Sequence, residues 1–295
     1  MNFQILNWIY WNSNTEAFKL PFFQHSVRWY GLLFALGFVL GYWIFYQLIL
    51  RHLQSENKAH PKTLALELTD SITWFVVGGT VIGARLGHIL FYDWPRYSSD
   101  LLSILKIWEG GLASHGGVIG IMLALFFYKK ISLKKHPEIS YINLLDLLCI
   151  PTALAAFCIR LGNFVNQEIL GTETTLPWAV IFGNPADHSP IVPRHPVQLY
   201  EGFFALLTFF ILFTFWKKRP HLKAGIISGL FFILIFGSRF LFEFIKLPSS
   251  LILNESFIQT GQLLSLPCIA LGFFLLFYGK NRVKTAVSIY TIPEK

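Results

Sequence analysis

Arg85, Arg160, Arg239 and Glu243 each interrupt a long apolar run, and Tyr30 and His115 each open one. A charge inside a membrane span costs about 2.5–3.5 kcal/mol on insertion scales, so each needs a partner or a use. Placed by depth, all six fall in the outer half of a bilayer. Three arginines at one depth attract an anion, because guanidinium groups hold phosphate oxygens through paired, charge-assisted hydrogen bonds. In an outer leaflet that anion is a phospholipid head group. The same residues admit a structural reading, in which the arginines snorkel to the interface or form ion pairs. Arg239 and Glu243, at i and i+4, would then partly neutralise each other.

His115 stands in Trp108–Gly120, WEGGLASHGGVIG. Gly110, Gly111, Gly116 and Gly117 around it permit close approach of a neighbouring backbone or a ligand. Histidine, with an ordinary pKa near ~6.5, suits proton transfer at neutral pH. Ser114 beside it is no partner, since adjacent helical residues point about 100° apart. Arg160–Gly171 reads RLGNFVNQEILG and leaves a span for a loop. Asn163, Asn166 and Glu168 there suit either glycerol and phosphate oxygens or the capping of a helix end. The loop closes with Pro193–Glu201, PRHPVQLYE, where prolines on both sides hold His195 extended. No His, Cys, Asp or Glu set has metal spacing, and GARLGH lies inside a helix rather than in a nucleotide loop. Cys149, Cys158 and Cys268 form no CxxC pair and read as small buried hydrophobes.

The elements that must position these residues follow from composition. Of 295 residues, 54% are hydrophobic and only 14% charged. That excludes a soluble globular core and a disordered chain. The apolar runs are long and unbroken, which excludes a barrel and predicts an all-α polytopic membrane protein. Seven runs reach spanning length: about 28–50, 71–92, 111–130, 141–161, 198–216, 225–246 and 262–279. The loops at 51–62, 129–135, 217–223 and 280–295 hold fifteen Lys and Arg, and the opposite set holds five. Positive loops are cytoplasmic, so the N-terminus lies outside and the C-terminus in the cytoplasm. The net charge of +8 is therefore a topology signal, and no nucleic-acid partner is expected. Residues 1–27, with Trp8, Tyr10 and Trp11, read as an interfacial segment rather than a cleavable signal. Residues 162–197 form the longest outer loop, and its prolines exclude a single helix. The whole chain reads as one membrane domain.

Together these segments resemble the prolipoprotein diacylglyceryl transferases of bacterial inner membranes. The matching pieces are RWYG (Arg28–Gly31), GARLGH (Gly83–His88), EGGLASHGG, RLGNFVNQEILG, LPWAVIF (Leu176–Phe182), PRHPVQLYE, SRFLFEF (Ser238–Phe244) and GQLLSLP (Gly261–Pro267), in family order. The resemblance implies transfer of the diacylglyceryl group of phosphatidylglycerol to the lipobox cysteine of a prolipoprotein. The products would be a thioether and glycerol 1-phosphate, with the site towards the periplasmic leaflet and a small periplasmic head. It implies roles for Tyr30, His115, Arg160, Asn163, Glu168, Gly171, Arg239 and Glu243. Three positions depart from the usual pattern: Ile235 for a tyrosine, Lys246–Ser249 (KLPS) for REPD, and Thr172 for a common arginine.

The implied chemistry agrees with the residues. A free cysteine has a pKa near ~8.5, so a base must deprotonate it as it attacks. His115 and Glu243 are both candidates for that base. Arg160 and Arg239 would grip the phosphate, with Asn163 assisting and Arg85 available as a third cation. The lipid carries its own leaving group, so no metal or cofactor is expected. The rival reading is an outer-leaflet phospholipid-binding or anion-transport protein. Transport calls for polar residues through the full depth, and the inner halves of these runs are almost purely apolar.

Overall fold

A computed structural model describes residues 8–19, 26–106, 111–131, 139–218, 223–247 and 258–289. Among them are eight α-helices: α1 (Trp29–Ser55), α2 (Pro61–Phe91), α3 (Trp94–Ser99), α4 (Ser114–Ile131), α5 (Tyr141–Val165), α6 (Val197–Lys218), α7 (Ile226–Glu243) and α8 (Thr260–Ile289). The seven expected spans all coincide with helices. Six of these are long and apolar enough to cross a membrane. The 18-residue α4 is not among the six, because it opens on Ser-His-Gly-Gly and closes on Lys129 and Lys130. α2 begins ten residues before the expected span, at 61 rather than 71. Pro61 starts it, with the fixed φ and missing N–H that suit a first helical turn.

The helices pack in the manner of membrane helices. Leu48, Ile72, Leu125, Ile150, Leu212 and Phe232 form a common core. Trp43, Trp74, Ile82, Phe203 and Phe277 point outwards, exposed as a lipid-facing surface would be. α2 and α4 approach through small residues. A Cβ added at Gly87 would lie 2.6 Å from the Cα of Gly116, and one at Gly83 would lie 2.7 Å from the Cα of Gly120. Only glycine allows backbones this close. Pro151 sits inside α5, where it leaves one helical donor missing. Asp146 is a charge inside an expected span that the depth argument leaves unused. It caps α7 from outside, accepting from Gly225 N at 2.7 Å, Ser228 N at 2.8 Å and Ser228 Oγ at 2.6 Å.

The small head expected beside the bundle is built from short strands. β1 (Ile9–Trp11) pairs in parallel with β4 (Val180–Phe182), and β4 pairs antiparallel with β5 (Pro193–Arg194). β2 (Glu16–Lys19) and β3 (Ser26–Arg28) form a separate antiparallel pair leading into α1. The N-terminal aromatic segment thus supplies a strand to the 162–197 loop. Trp11 donates its indole N–H to Phe164 O at 3.2 Å, and Ser13 Oγ donates to Val165 O at 2.7 Å, so the head is tied to the end of α5. The residues after α7 rejoin the loop: Thr172 N donates to Ile245 O at 2.8 Å and Leu247 N to Leu170 O at 3.0 Å.

Candidate active site

Helix ends from one side of the bundle bring the polar residues together. Tyr30 opens α1, His115 opens α4, Arg160 and Asn163 close α5, and Arg239 and Glu243 close α7. Glu168 follows in the loop. A continuous polar chain runs through most of them. Glu168 Oε1 accepts from Asn163 Nδ2 at 2.7 Å, and Asn163 Oδ1 accepts from Arg160 Nη1 at 2.9 Å. Arg160 Nε lies 2.8 Å from Glu201 Oε2. Glu201 Oε1 accepts from Lys246 Nζ at 2.6 Å, and the same ammonium reaches Glu243 Oε2 at 2.9 Å.

The loop holds Glu168 by strained backbone. Gln167 and Ile169, on either side of it, have φ of 54° and 59°. Left-handed conformation is costly for a β-branched residue, so neighbouring contacts must enforce it. Gln167 supplies them: its Oε1 accepts from Asn184 N at 2.7 Å and its carbonyl from Ala186 N at 3.0 Å. Gln198 Nε2 donates to the Glu168 carbonyl at 2.7 Å. Asn163 and Glu168, which the sequence leaves between ligand binding and helix capping, are thus bonded to each other, beside Arg160.

Tyr30 lays its ring on the bare backbone of Gly162, where a Cβ would lie 2.7 Å from its Cδ2. Its hydroxyl makes no hydrogen bond among the described residues. Gly171 is packed against His195, and its carbonyl accepts from Arg194 Nη1 at 3.2 Å. The structure therefore shows Gly171 as a packing position at the foot of the head. Burial lowers the His195 imidazole below its ordinary pKa. His115 is 3% exposed, 5.7 Å ring to ring from Phe236, and neither ring nitrogen has a hydrogen-bond partner among the described residues. Arg239 and Lys246 are the charges whose fields reach it.

Two expectations change. Arg239 and Glu243 do not pair; Lys246 takes Glu243, and Arg239 keeps a buried Nε without a partner. Arg85, with Arg160 and Arg239 the third expected anion ligand, spends its guanidinium on its own chain. Nε donates to Ile104 O at 2.9 Å, Nη2 to Ser103 O at 2.6 Å and Lys106 O at 3.1 Å, and Nη1 to Gly111 O at 3.3 Å. It also lies 4.8 Å from the Tyr97 ring centroid. Arg85 fastens Ser103, Ile104, Lys106 and Gly111 to α2. Tyr92, one residue beyond α2, faces the site: burial raises its phenol pKa, Arg239 draws it down and Glu243 pushes it up. Trp108, Glu109 and Gly110 of the histidine segment, and Pro248 and Ser249 of KLPS, lie outside the described residues.

Glu201 and Lys246 are the site residues that sequence reasoning missed. Both stand at the edge of an apolar run, where a charge is unremarkable. In the structure they are 6% and 5% exposed. The available signal was the closing glutamate of PRHPVQLYE, the one acid in a loop-to-span junction rich in matching residues. Among the described residues no three His, Cys, Asp or Glu are grouped to hold a metal. The chain can thus present an uncommitted guanidinium at Arg239, an open Nη2 at Arg160 and a bare imidazole at His115. That set can hold a phosphate and move a proton beside it.

The family model for prolipoprotein diacylglyceryl transferase matches residues 16–278. Among similar curated proteins is the phosphatidylglycerol–prolipoprotein diacylglyceryl transferase of Protochlamydia amoebophila, 40% identical over 94% of this chain and 96% of that protein. The protein of the same name from Porphyromonas gingivalis is 40% identical, over 95% and 98% of the two chains. That from Tolumonas auensis is 39% identical, over 91% and 96%.

Proposed function

The chain belongs to the prolipoprotein diacylglyceryl transferase family, and from that premise we infer that the polar chain at the helix ends is its active site. The protein transfers the diacylglyceryl group of phosphatidylglycerol to the lipobox cysteine of a prolipoprotein. A thioether product requires that sulfur attack the glyceryl carbon bearing the phosphate ester. The carbon–oxygen bond breaks, and glycerol 1-phosphate leaves with its phosphorus untouched. The thiol proton goes to a base, and the leaving phosphate gains a negative charge.

The observation that carries this reading is the pairing pattern. Among the described residues, Arg239 and one edge of Arg160 lack partners beside a cluster whose other charges are paired. Guanidinium groups preorganised in a dry site stabilise charge that develops on phosphate oxygens. Asn163 orients Arg160, and Glu168 orients Asn163 in turn. Tyr30 offers an open hydroxyl at the same end. Arg85 supports the site by holding the segment that leads to His115. His115 is the base. Glu243 is already committed to Lys246, whereas both imidazole nitrogens are unpartnered and one can accept a proton. The bundle spans the inner membrane seven times, with α4 as the third crossing. Its site faces the periplasmic leaflet, where lipid head groups and exported prolipoproteins meet.

His115→Gln tests the assignment, since it keeps the shape and removes the base. Turnover should fall by about 10²–10⁴-fold, the usual worth of general-base catalysis, while phosphatidylglycerol still binds. Activity equal to the parent protein would overturn the role of His115.

A further inference from the structure

Arg239 and Glu243 stand one turn apart on α7, at the spacing where opposite charges pair on a helix. Glu243 instead bonds Lys246, and Arg239 makes no hydrogen bond or ion pair among the described residues. A cation left unpaired and half-buried is costly. An alternative partner lies on its own helix, so something must keep the two apart. Lys246 does so with one nitrogen, which holds Glu201 Oε1 at 2.6 Å and Glu243 Oε2 at 2.9 Å. Its position does not depend on those bonds. Thr172 N to Ile245 O, Leu247 N to Leu170 O and an antiparallel bridge from Gly171 to Lys246 fix the backbone on both sides. Gly261 opens α8 directly against the Glu243 carboxylate, so that side chain has no room to turn away on that side.

We propose that Lys246 is a positioning residue that holds Glu243 and Glu201 so that Arg239 stays open for the lipid phosphate. Without the ammonium, Glu243 loses its partner, and the uncommitted cation on its own helix is Arg239. The carboxylate then fills the anion site from within. The lysine thus guards the selectivity of the pocket for an external anion over an internal one. This rests on the reading of Arg239 as a phosphate ligand.

The test is equilibrium binding of phosphatidylglycerol, presented in phosphatidylcholine micelles, to the full-length protein. Binding does not depend on which residue is the base. Arg239→Gln should weaken it by about tenfold or more, as loss of a charge-assisted contact would. Lys246→Met should weaken it by a similar factor, and Lys246→Arg should bind as the parent does. The decisive variant is Lys246→Met with Glu243→Gln, which removes the cation and the competing carboxylate together. It should recover most of the lost affinity. Failure to recover, as lost binding or as lost fold, overturns the proposal, as does parental binding by Lys246→Met. Parental binding by Arg239→Gln would instead overturn the phosphate reading itself.

Discussion

Glu201 shows how much one carboxylate can organise. It receives Arg160 from α5 and Lys246 from beyond α7, and it is almost wholly buried itself. Buried Lys246 and half-buried Arg160 both depend on it. Removing one member of a buried ion cluster costs about 3–5 kcal/mol, because the charges left behind have lost their compensation. Glu201→Ala should therefore lower the thermal midpoint of the purified protein by several degrees as well as abolish turnover. An unchanged midpoint would mean that water replaces the carboxylate and that the cluster is looser than its distances imply. At this scale the sequence was legible for charges inside apolar runs: Arg160, Arg239, Glu243 and His115 announce themselves by their cost. Glu201 and Lys246 do not, because a charge at the rim of a span is cheap. Nor did the sequence reveal who pairs with whom. The i, i+4 spacing favoured Arg239 with Glu243, and a lysine positioned by the loop pairing overrode it. Arg85 was conspicuous for the same reason as the other arginines, yet its partners are carbonyls of a segment about twenty residues downstream, which no local pattern encodes.

The elements that place His115 are α2 and α4. Their contact is a run of glycines, with Gly79, Gly83 and Gly87 facing Gly116 and Gly120. The ring of His115 is set by how closely those backbones approach. Gly83→Leu should push α4 away from α2 and carry His115 with it. Transfer should drop by at least about tenfold, in keeping with the sensitivity of catalysis to ~1 Å misplacements. Binding of phosphatidylglycerol, assigned in the proposed function to residues of α5 and α7, should survive. Equal losses of binding and turnover would show that the glycine contact supports the whole bundle rather than one catalytic group. All seven long helices were readable from hydrophobic run length. The strands of the head were not, since they are two to four residues long and one of the pairings, β1 with β4, joins segments over 150 residues apart. Val180–Phe182, inside LPWAVIF, is one of them. The partner strand at Ile9–Trp11 looked only like an interfacial aromatic stretch.

Across the whole molecule, one division of labour accounts for the layout. The lipid-facing surface is apolar and aromatic, and charges inside the bundle are capped, paired or gathered at one end. Asp146 illustrates the capped kind and Glu201 the paired kind. Among the described residues, the site holds Arg239 without a partner, an open edge of Arg160 and the bare His115 imidazole. An anion channel would distribute such groups along its path. This bundle gathers them at one end, which the proposed function places where head groups and an exported thiol meet. The account is tested most directly by incubating the purified protein with phosphatidylglycerol and a lipobox peptide. Peptide mass and released glycerol phosphate are followed together. The account predicts a diacylglyceryl mass gain matched by stoichiometric glycerol phosphate, both abolished by Cys→Ser in the peptide. A folded protein that binds the lipid yet yields neither product would contradict it and leave a lipid-binding role in its place.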